Sequence, residues 1–217
     1  MDVAANLAHV RERIAAACAR AGRDPASVRL VAVSKTKPLE LLRAAQAAGQ
    51  DVFGENYAQE LKEKADALAG AEWHFVGALQ TNKAKVVVGR AALIHTCDRL
   101  ALAQELSKRA KAAGLVQRVL IEVNVGREPQ KAGVLPEDVA ALLEHVRGLP
   151  ALSCVGLMCI PPAEGDPRQH FRALKRLGLS LGLPELSMGM TADFEVAIEE
   201  GATLVRVGTA IFGERNP

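Results

Sequence analysis

A lysine stands where an apolar run ends, in the stretch RLVAVSKTKPLE at residues 29–40. The run RLVAV is typical of a buried strand, so Lys35 lies just beyond the strand's exit. An amine attacks a carbonyl only in its neutral form, and the ordinary lysine pKa of about 10.4 keeps it charged unless the site is partly desolvated. Lys35 is therefore a candidate for a covalent bond to an aldehyde. The alternative is a surface lysine or an ion-pair partner.

Two glycine-containing segments near the C-terminus could bind an anion. SMGMTADFE supplies Ser187, Gly189 and then Thr191, which we predict to be a helix N-cap. RVGTAIFG supplies Gly208 and Thr209 at the start of a short last turn. Glycine lets backbone N–H groups approach a ligand closely, and helix starts favour anions. Together the segments predict a phosphate site; the alternative is that the glycines only form turns.

A lysine opposite a phosphate site suits an aldehyde that carries a phosphate, and pyridoxal 5′-phosphate fits that description. Arg206 lies among apolar residues in the predicted strand LVRV, and a buried arginine requires an acceptor. A pyridine nitrogen could be that acceptor, and the arginine would then keep the ring nitrogen unprotonated. The alternative acceptor is a carboxylate such as Glu122 or Glu195.

The elements that must position these residues alternate along the chain. After a leading helix predicted at residues 6–20, short runs rich in valine and isoleucine are followed by longer amphipathic stretches. This order predicts an α/β fold with parallel strands, either a (β/α)8 barrel or an open doubly wound sheet. An unbroken rhythm of eight favours the barrel, as a single domain over residues 1–217 with all strand exits at one mouth. The predicted strands are 29–34, 51–54, 73–77, 92–96, 118–125, 152–158, 185–188 and 203–207, with helices between them that include 57–69, 99–113, 136–147 and 191–200.

Composition restricts the class of protein. The chain has 217 residues, 49% of them hydrophobic, and a net charge of +2 with both signs interleaved. No charge field typical of nucleic-acid binding appears, and no apolar run approaches the ~18 residues of a membrane span. The charged N-terminal stretch does not resemble a secretory signal. Four cysteines lie far apart without C-x-x-C spacing, which favours buried free thiols, no metal site and a cytoplasmic location.

Eight strings, in order and over nearly the whole chain, resemble the pyridoxal phosphate homeostasis protein family. The resemblance implies a single-domain barrel like the N-terminal domain of alanine racemase (fold type III), with pyridoxal phosphate held on a lysine as an internal aldimine. The strings are AVSKTKP, FGENYAQE, WHFVGALQTNKAK, IHTCDRLALA, EVNVGREPQKAG, GLMCIPP, LSMGMTADFEVAI and VRVGTAIFG.

Carried over by position, the resemblance implies seven cofactor-binding residues. Lys35 within SKTKP would form the Schiff base, Asn56 of GENY would lie near the cofactor face, and Arg206 would face the pyridine nitrogen. The phosphate would be held by residues of the last two loops, namely Ser187, Gly189, Gly208 and Thr209.

Three further charged residues match the family at the mouth, with roles left open: Lys37, Glu128 and Lys131. Either of these lysines could form a second site for the cofactor. Ala78 and Ala192 depart from the pattern of many relatives, but neither departure touches a predicted site residue.

The resemblance implies a carrier, which buffers pyridoxal phosphate and delivers it to apo-forms of dependent enzymes without catalytic turnover. A racemase needs bases on both faces of the substrate carbanion, and alanine racemase takes a tyrosine base from a second, β-rich domain. The chain ends at Pro217, so we expect that domain to be absent, and Tyr57 is its only tyrosine. His74 and His95 lie within predicted strands, where we expect packed or hydrogen-bonded core residues. We therefore expect no catalytic residue, and a surface compatible with a monomer.

Two other functions stay open. One is a pyridoxal-phosphate-dependent amino-acid racemase or lyase that a dimer partner completes. The other is a phosphate-binding barrel enzyme without this cofactor, in which Lys35 would be an electrostatic clamp or an aldolase-type base.

Overall fold

The computed structural model describes residues 2–214 and shows a closed barrel of eight parallel strands. The strands are β1 (Arg29–Val33), β2 (Val52–Glu55), β3 (Glu72–Phe75), β4 (Leu93–Cys97), β5 (Gln117–Val123), β6 (Leu152–Cys159), β7 (Glu185–Ser187) and β8 (Leu204–Val207). They pair in sequence order, and β1 closes the barrel by pairing with β8 in parallel. This closure excludes the open sheet and confirms the predicted barrel. The predicted domain limits at residues 1 and 217 lie outside the described residues.

Each predicted strand is present, with its ends within two residues of the prediction. Strands that are covered on both faces must be apolar along most of their length, which makes them visible as short valine-rich runs. In β4 all five residues are buried, and in β5 only one residue is partly exposed.

Helices fill the crossovers between the strands. Within the described residues they are α1 (Val3–Arg20), α2 (Leu39–Ala47), α3 (Ala58–Ala67), α4 (Ala84–Val87), α5 (Leu100–Ala112), α6 (Val139–Arg147), α7 (Arg168–Leu181), α8 (Phe194–Glu199) and α9 (Thr209–Phe212). The leading helix begins three residues earlier than predicted, because Asp2 caps it by accepting a hydrogen bond from the Ala5 N–H at 3.0 Å.

The leading helix α1 braces the two helices that follow β7 and β8. Its Leu7 is fully buried, which contributes about 1.5–3 kcal/mol. The Asn6 amide donates to the Ile211 carbonyl at 3.0 Å, which ties α1 to α9. Arg13 pairs with Glu195 of α8 at 2.8 Å. The helix predicted as an addition to the barrel therefore fixes the elements next to the last two strand exits.

Besides the main core cluster, the strands contribute a smaller apolar cluster and several buried polar side chains. The smaller apolar cluster comprises Val31, Val52, Leu93, Leu120, Met158 and Leu204. The buried polar side chains include His74, His95, Glu122, Ser187 and Arg206. Buried polar side chains need hydrogen-bond partners, so such a group inside a barrel indicates a functional end.

The four cysteines are free thiols, as their spacing predicts, and three of them are buried. Burial raises the pKa of Cys97 and of Cys159 to about 12, so neither thiol is a nucleophile at neutral pH. Within residues 2–214, no cluster of histidine, cysteine, aspartate or glutamate side chains could hold a metal ion. No helix in that range is long and apolar enough to cross a membrane.

Candidate functional site

A cavity of about 330 Å³ opens at the mouth of the barrel, at the carboxyl ends of the strands. We call it the mouth cavity. Its volume lies within the range of small-molecule sites. Its wall combines apolar side chains with six residues that carry polar or charged groups or a flexible backbone: Lys35, Asn56, Thr191, Arg206, Gly208 and Thr209. Five of these six are among the seven residues predicted to bind a cofactor.

Lys35 is half-buried and lies in the turn that follows β1. Contacts with the end of β2 and with helix α3 hold this turn in place. Thr36 adopts a left-handed conformation with φ of 61°, and its N–H donates to Glu60 Oε2 at 2.8 Å. The Ser34 hydroxyl donates to Glu55 Oε1 at 2.7 Å. These contacts fix the backbone on both sides of Lys35, and they favour a defined direction for its side chain.

A buried lysine, Lys64, links the residues that hold the Lys35 turn. Lys64 Nζ lies 2.7 Å from each of three acceptors, the Ser34 carbonyl, Glu55 Oε1 and Glu60 Oε2. Burial raises the pKa of Glu55, and the neighbouring ammonium of Lys64 opposes that rise. Sequence reasoning missed this cluster, although the four-residue spacing of Glu60 and Lys64 on one helix face could have indicated the pair.

Asn56 follows β2 and presents an acceptor to the mouth cavity. Among the described residues its Oδ1 is buried without a hydrogen-bond partner. Its backbone is fixed by close packing, because a Cβ at Gly77 would lie 2.3 Å from the Asn56 carbonyl oxygen. A buried, unpartnered acceptor costs free energy unless a ligand donates to it. Asn56 therefore fits a ligand that carries a hydroxyl or another donor.

Two threonine hydroxyls meet at one end of the mouth cavity. Thr209 Oγ1 donates to Thr191 Oγ1 at 3.1 Å, beside Gly208. A Cβ at Gly208 would lie 3.1 Å from the Val33 carbonyl oxygen, so glycine allows this loop to sit close to the exit of β1. Thr191 was predicted to be an N-cap, and that prediction is wrong. The helix begins at Phe194, and the Asp193 carboxylate accepts a hydrogen bond from the Met190 N–H at 2.6 Å. Thr191 lies on the cavity wall instead.

Ser187 and Gly189 lie apart from that wall. Ser187 is fully buried, and its hydroxyl contacts His95 Nδ1 at 2.8 Å and Arg206 Nη1 at 2.6 Å. Gly189 has φ of +91°, and a Cβ there would lie 2.5 Å from the Ala197 Cβ. The phosphate role predicted for these two residues stays a prediction. Their observed contacts support neighbouring parts of the site.

Arg206 is buried and reaches the mouth cavity from β8. Its Nη1 donates to Ser187 Oγ, and its Nη2 donates to the Cys159 carbonyl at 3.0 Å. Burial lowers the pKa of Arg206, yet a guanidinium stays charged at neutral pH. Of the two carboxylates considered as alternative acceptors, Glu195 pairs with Arg13.

A second cavity of about 250 Å³ adjoins the first and shares Asn56 with it. Glu122 lies on its wall, and burial raises the pKa of this carboxyl to about 7, with a further rise from Asp98 and a decrease from Arg206. Lys131 lies there too. It pairs with Glu128 at 2.5 Å and donates to the Pro161 carbonyl at 2.9 Å.

Lys37, the other lysine of the SKTKP string, donates to the Glu214 carbonyl at 2.5 Å. It is not among the residues of the mouth cavity. Lys37 and Lys131 therefore both make structural contacts with loop carbonyls.

Comparisons with known proteins cover almost the whole chain. The family model described as alanine racemase, N-terminal domain, matches residues 5–216. A pyridoxal phosphate homeostasis protein of Aquifex aeolicus is 49% identical over 226 residues, which cover 99% of either chain. The crystal structure of an unknown protein from Bifidobacterium adolescentis has a TM-score of 0.91 and 37% identity, and the match covers 97% of this chain and 94% of that chain. The structure of PipY from Synechococcus elongatus with PLP bound has a TM-score of 0.83 and 35% identity, covering 97% of this chain and 100% of that chain.

Alanine racemases are similar to this chain in fold. The crystal structure of the enzyme from Corynebacterium glutamicum has a TM-score of 0.73 at 17% identity. The match covers 96% of this chain and 61% of the racemase chain. At that identity the similarity supports the barrel architecture and does not extend to activity.

Proposed function

Because this chain belongs to the alanine racemase N-terminal domain family, among the pyridoxal phosphate homeostasis proteins, we propose that it binds pyridoxal 5′-phosphate in the mouth cavity and serves as a carrier. One observation supports this most strongly. Lys35, a pair of threonine hydroxyls and the guanidinium of Arg206 line one cavity of suitable size. A lysine and an anion site in one cavity are what a phosphorylated aldehyde requires.

Each wall residue has a task in this proposal. Lys35 would hold the cofactor covalently through its amine, with loss of water from the aldehyde. The hydroxyls of Thr191 and Thr209, with the backbone at Gly208, hold the phosphate. Arg206 would donate to the ring nitrogen and so favour its unprotonated form. The orphaned Asn56 Oδ1 would accept from the hydroxyl on the ring.

This division of roles differs from the prediction from the sequence at two residues, Ser187 and Gly189. Thr191 replaces Ser187 as the hydroxyl that faces the phosphate, and Ser187 orients Arg206 from below. Gly189 acts through packing, since it lets helix α8 approach the loop after β7. The Gly189 carbonyl also accepts from the Arg206 N–H at 3.0 Å.

The composition of this cavity supports the carrier role. Among residues 2–214, its wall contains one lysine and neither histidine nor tyrosine, whereas racemisation needs a base on each face of the substrate. Tyr57 lies outside this wall and is 54% exposed. We also propose delivery to apo-forms of pyridoxal-phosphate-dependent enzymes, a single domain, a monomeric state and a cytoplasmic location.

The second candidate function is a racemase or lyase. One observation favours it, because Glu122 lies on the wall of the adjoining cavity and has a pKa of about 7, which suits a general base. Incubation of the loaded protein with L-alanine and other amino acids separates the two functions. We expect no sustained formation of D-isomer or keto acid. Turnover at about 1 s⁻¹ or faster would establish the enzyme instead.

Titration of the purified protein with pyridoxal 5′-phosphate tests binding. We expect a yellow complex whose colour is abolished in Lys35→Ala and retained in Lys37→Ala and Lys131→Ala, the matched lysine controls. A colourless wild-type protein, or an equally yellow Lys35→Ala variant, would overturn the proposed site. Delivery is tested by adding the loaded protein to an apo-enzyme, where transfer faster than spontaneous release is expected.

A further inference from the structure

A continuous line of hydrogen bonds runs through the barrel from the mouth cavity to the opposite end. Arg206 Nη1 contacts Ser187 Oγ at 2.6 Å, and Ser187 Oγ contacts His95 Nδ1 at 2.8 Å. His95 Nε2 contacts His74 Nδ1 at 2.9 Å, and His74 Nε2 contacts Glu72 Oε1 at 2.9 Å. We call the four residues from Ser187 to Glu72 the histidine column.

Arg206, which bonds the top of the histidine column, and Glu72, which ends it, each have a fixed hydrogen-bonding role. Arg206 can only donate, because a guanidinium has no acceptor. Glu72 can only accept at neutral pH, because hydrogen bonds from His74 and Arg29 lower the pKa of its carboxyl to about 2. Arg29 Nη2 donates to the second oxygen of Glu72 at 2.9 Å, which holds that end in place.

The fixed ends leave one arrangement of protons in between. Burial lowers the pKa of His74 and of His95, so both rings are neutral at neutral pH, with one N–H and one acceptor each. His74 Nε2–H donates to Glu72, so its Nδ1 must accept from His95 Nε2–H. His95 Nδ1 must then accept from the Ser187 hydroxyl, which leaves a lone pair of that oxygen for Arg206.

We propose that His74 and His95 are positioning residues that, through Ser187, hold the Arg206 guanidinium as a donor directed at the ring nitrogen of the cofactor. The inference rests on the proposed function. Every N–H and O–H bond in the column points away from Arg206 and toward Glu72. The acceptor side of each dipole therefore faces the buried cation, and the donor side faces the carboxylate. The column thus stabilises Arg206 while its own carboxylate, Glu72, stays at the opposite end of the hydrogen-bonded line.

The test compares two ligands, pyridoxal 5′-phosphate and its 1-deaza analogue, in which C–H replaces the ring nitrogen. The wild-type protein is expected to bind the natural ligand more tightly. His95→Leu should reduce that preference by about tenfold, the scale of one hydrogen bond to a charged group. His95→Gln should retain the preference, since its amide can accept from Ser187 and donate to His74.

Two further variants make the result independent of folding defects. Ser187→Ala removes a single atom of the column and should also lose the preference, which provides the comparison if His95→Leu does not fold. Ser107→Ala is the control, because Ser107 is a buried serine that donates to the Pro150 carbonyl outside the column. It should leave the preference unchanged.

Equal weakening of both ligands in His95→Leu and Ser187→Ala would overturn the inference, since it would indicate a general packing role. An unchanged preference in both variants would overturn it as well. Failure of the wild-type protein to bind either ligand would instead contradict the proposed function, so the two failures are distinguishable.

Discussion

Replacement of Lys64 should show how much the contacts behind the Lys35 turn contribute to stability and to cofactor loading, because Lys64 itself does not line the mouth cavity. Its side chain is 11% exposed and lies 2.7 Å from Glu55 Oε1, while the side chain of Glu55 is fully buried. Lys64 also donates to the Ser34 carbonyl, which precedes Lys35, and to Glu60, which accepts from the Thr36 N–H after Lys35. Lys64→Met keeps the aliphatic stem and removes the charge.

The expected cost follows from leaving Glu55 without its cation. Removal of one partner from a buried ion pair destabilises a protein by about 3–5 kcal/mol. Burial already raises the pKa of Glu55, and loss of Lys64 raises it further. A raised pKa in the folded state means that stability is retained at low pH and lost as the pH rises through the folded-state pKa. The cost should therefore be small near pH 4 and reach its full size at neutral pH.

Urea unfolding followed by circular dichroism at both pH values measures this difference. Lys64→Met combined with Glu55→Gln should recover much of the lost stability, because no buried charge then remains. The matched control is Arg109→Met, which breaks an ion pair with Glu105 at the four-residue spacing that also separates Glu60 and Lys64. The side chain of Arg109 is 41% exposed. It should cost at most about 0.5 kcal/mol.

A loss below about 1 kcal/mol for Lys64→Met at neutral pH would refute this reasoning, because it would mean that the pair contributes no more than a surface one. A double variant no more stable than Lys64→Met would refute it too, since the uncompensated charge could not then be the cause. The folded double variant should also load pyridoxal phosphate more slowly than the wild type, because its Lys35 turn has lost one anchor.

Three other substitutions test the site and its packing. Thr191→Val should raise the Kd for pyridoxal 5′-phosphate about tenfold, the scale of a hydrogen bond to a charged group, and leave the Kd for unphosphorylated pyridoxal unchanged. Gly77→Ala, which drives a Cβ to 2.3 Å from the Asn56 carbonyl oxygen, should destabilise by about 1–3 kcal/mol in urea unfolding, whereas Gly148→Ala, with its nearest atom at 3.4 Å, should be neutral. Glu122→Gln should make stability depend less on pH between about pH 5 and 8. The wild-type carboxyl, whose pKa is raised to about 7, contributes up to about 3 kcal/mol of stability at low pH, and this contribution is lost as the pH rises.

The positions of the strands could be predicted because strands that are buried on both faces consist mostly of apolar residues. The run that precedes Lys35 is apolar over the length of one strand, and its end marks the mouth of the barrel. The same logic placed Gly208 and Thr209 at the last strand exit, where Gly208 follows β8 directly. Asn56, which the family resemblance implied, follows β2 directly. Residues at strand exits are the ones that a (β/α)8 fold brings together.

The different surroundings of Thr191 and Ser187 could not be predicted in the same way. Both are hydroxyl residues of one sequence string, and the path of the backbone decides which of them reaches the mouth cavity. Ser187 ends β7 facing the barrel interior, where His95 and Arg206 hold it. Thr191 lies on the cavity wall, because Asp193, not Thr191, accepts the hydrogen bond from the Met190 N–H before α8.

The histidine column shows a second limit of sequence reasoning. His74 and His95 were predicted to be hydrogen-bonded core residues, and they are. Their pairing with each other depends on how two neighbouring strands are displaced in the barrel, and the link to Ser187 crosses its interior. No local pattern encodes that displacement, because it follows from the closure of the whole sheet.

Borohydride reduction of the protein loaded with pyridoxal 5′-phosphate, followed by peptide mapping, tests the central claim most directly. Reduction makes the bond between the cofactor and its lysine permanent. The account predicts one major modified peptide, with the cofactor on Lys35. Modification mainly at Lys37, at Lys131 or at any other lysine, or no stable modification at all, would contradict it.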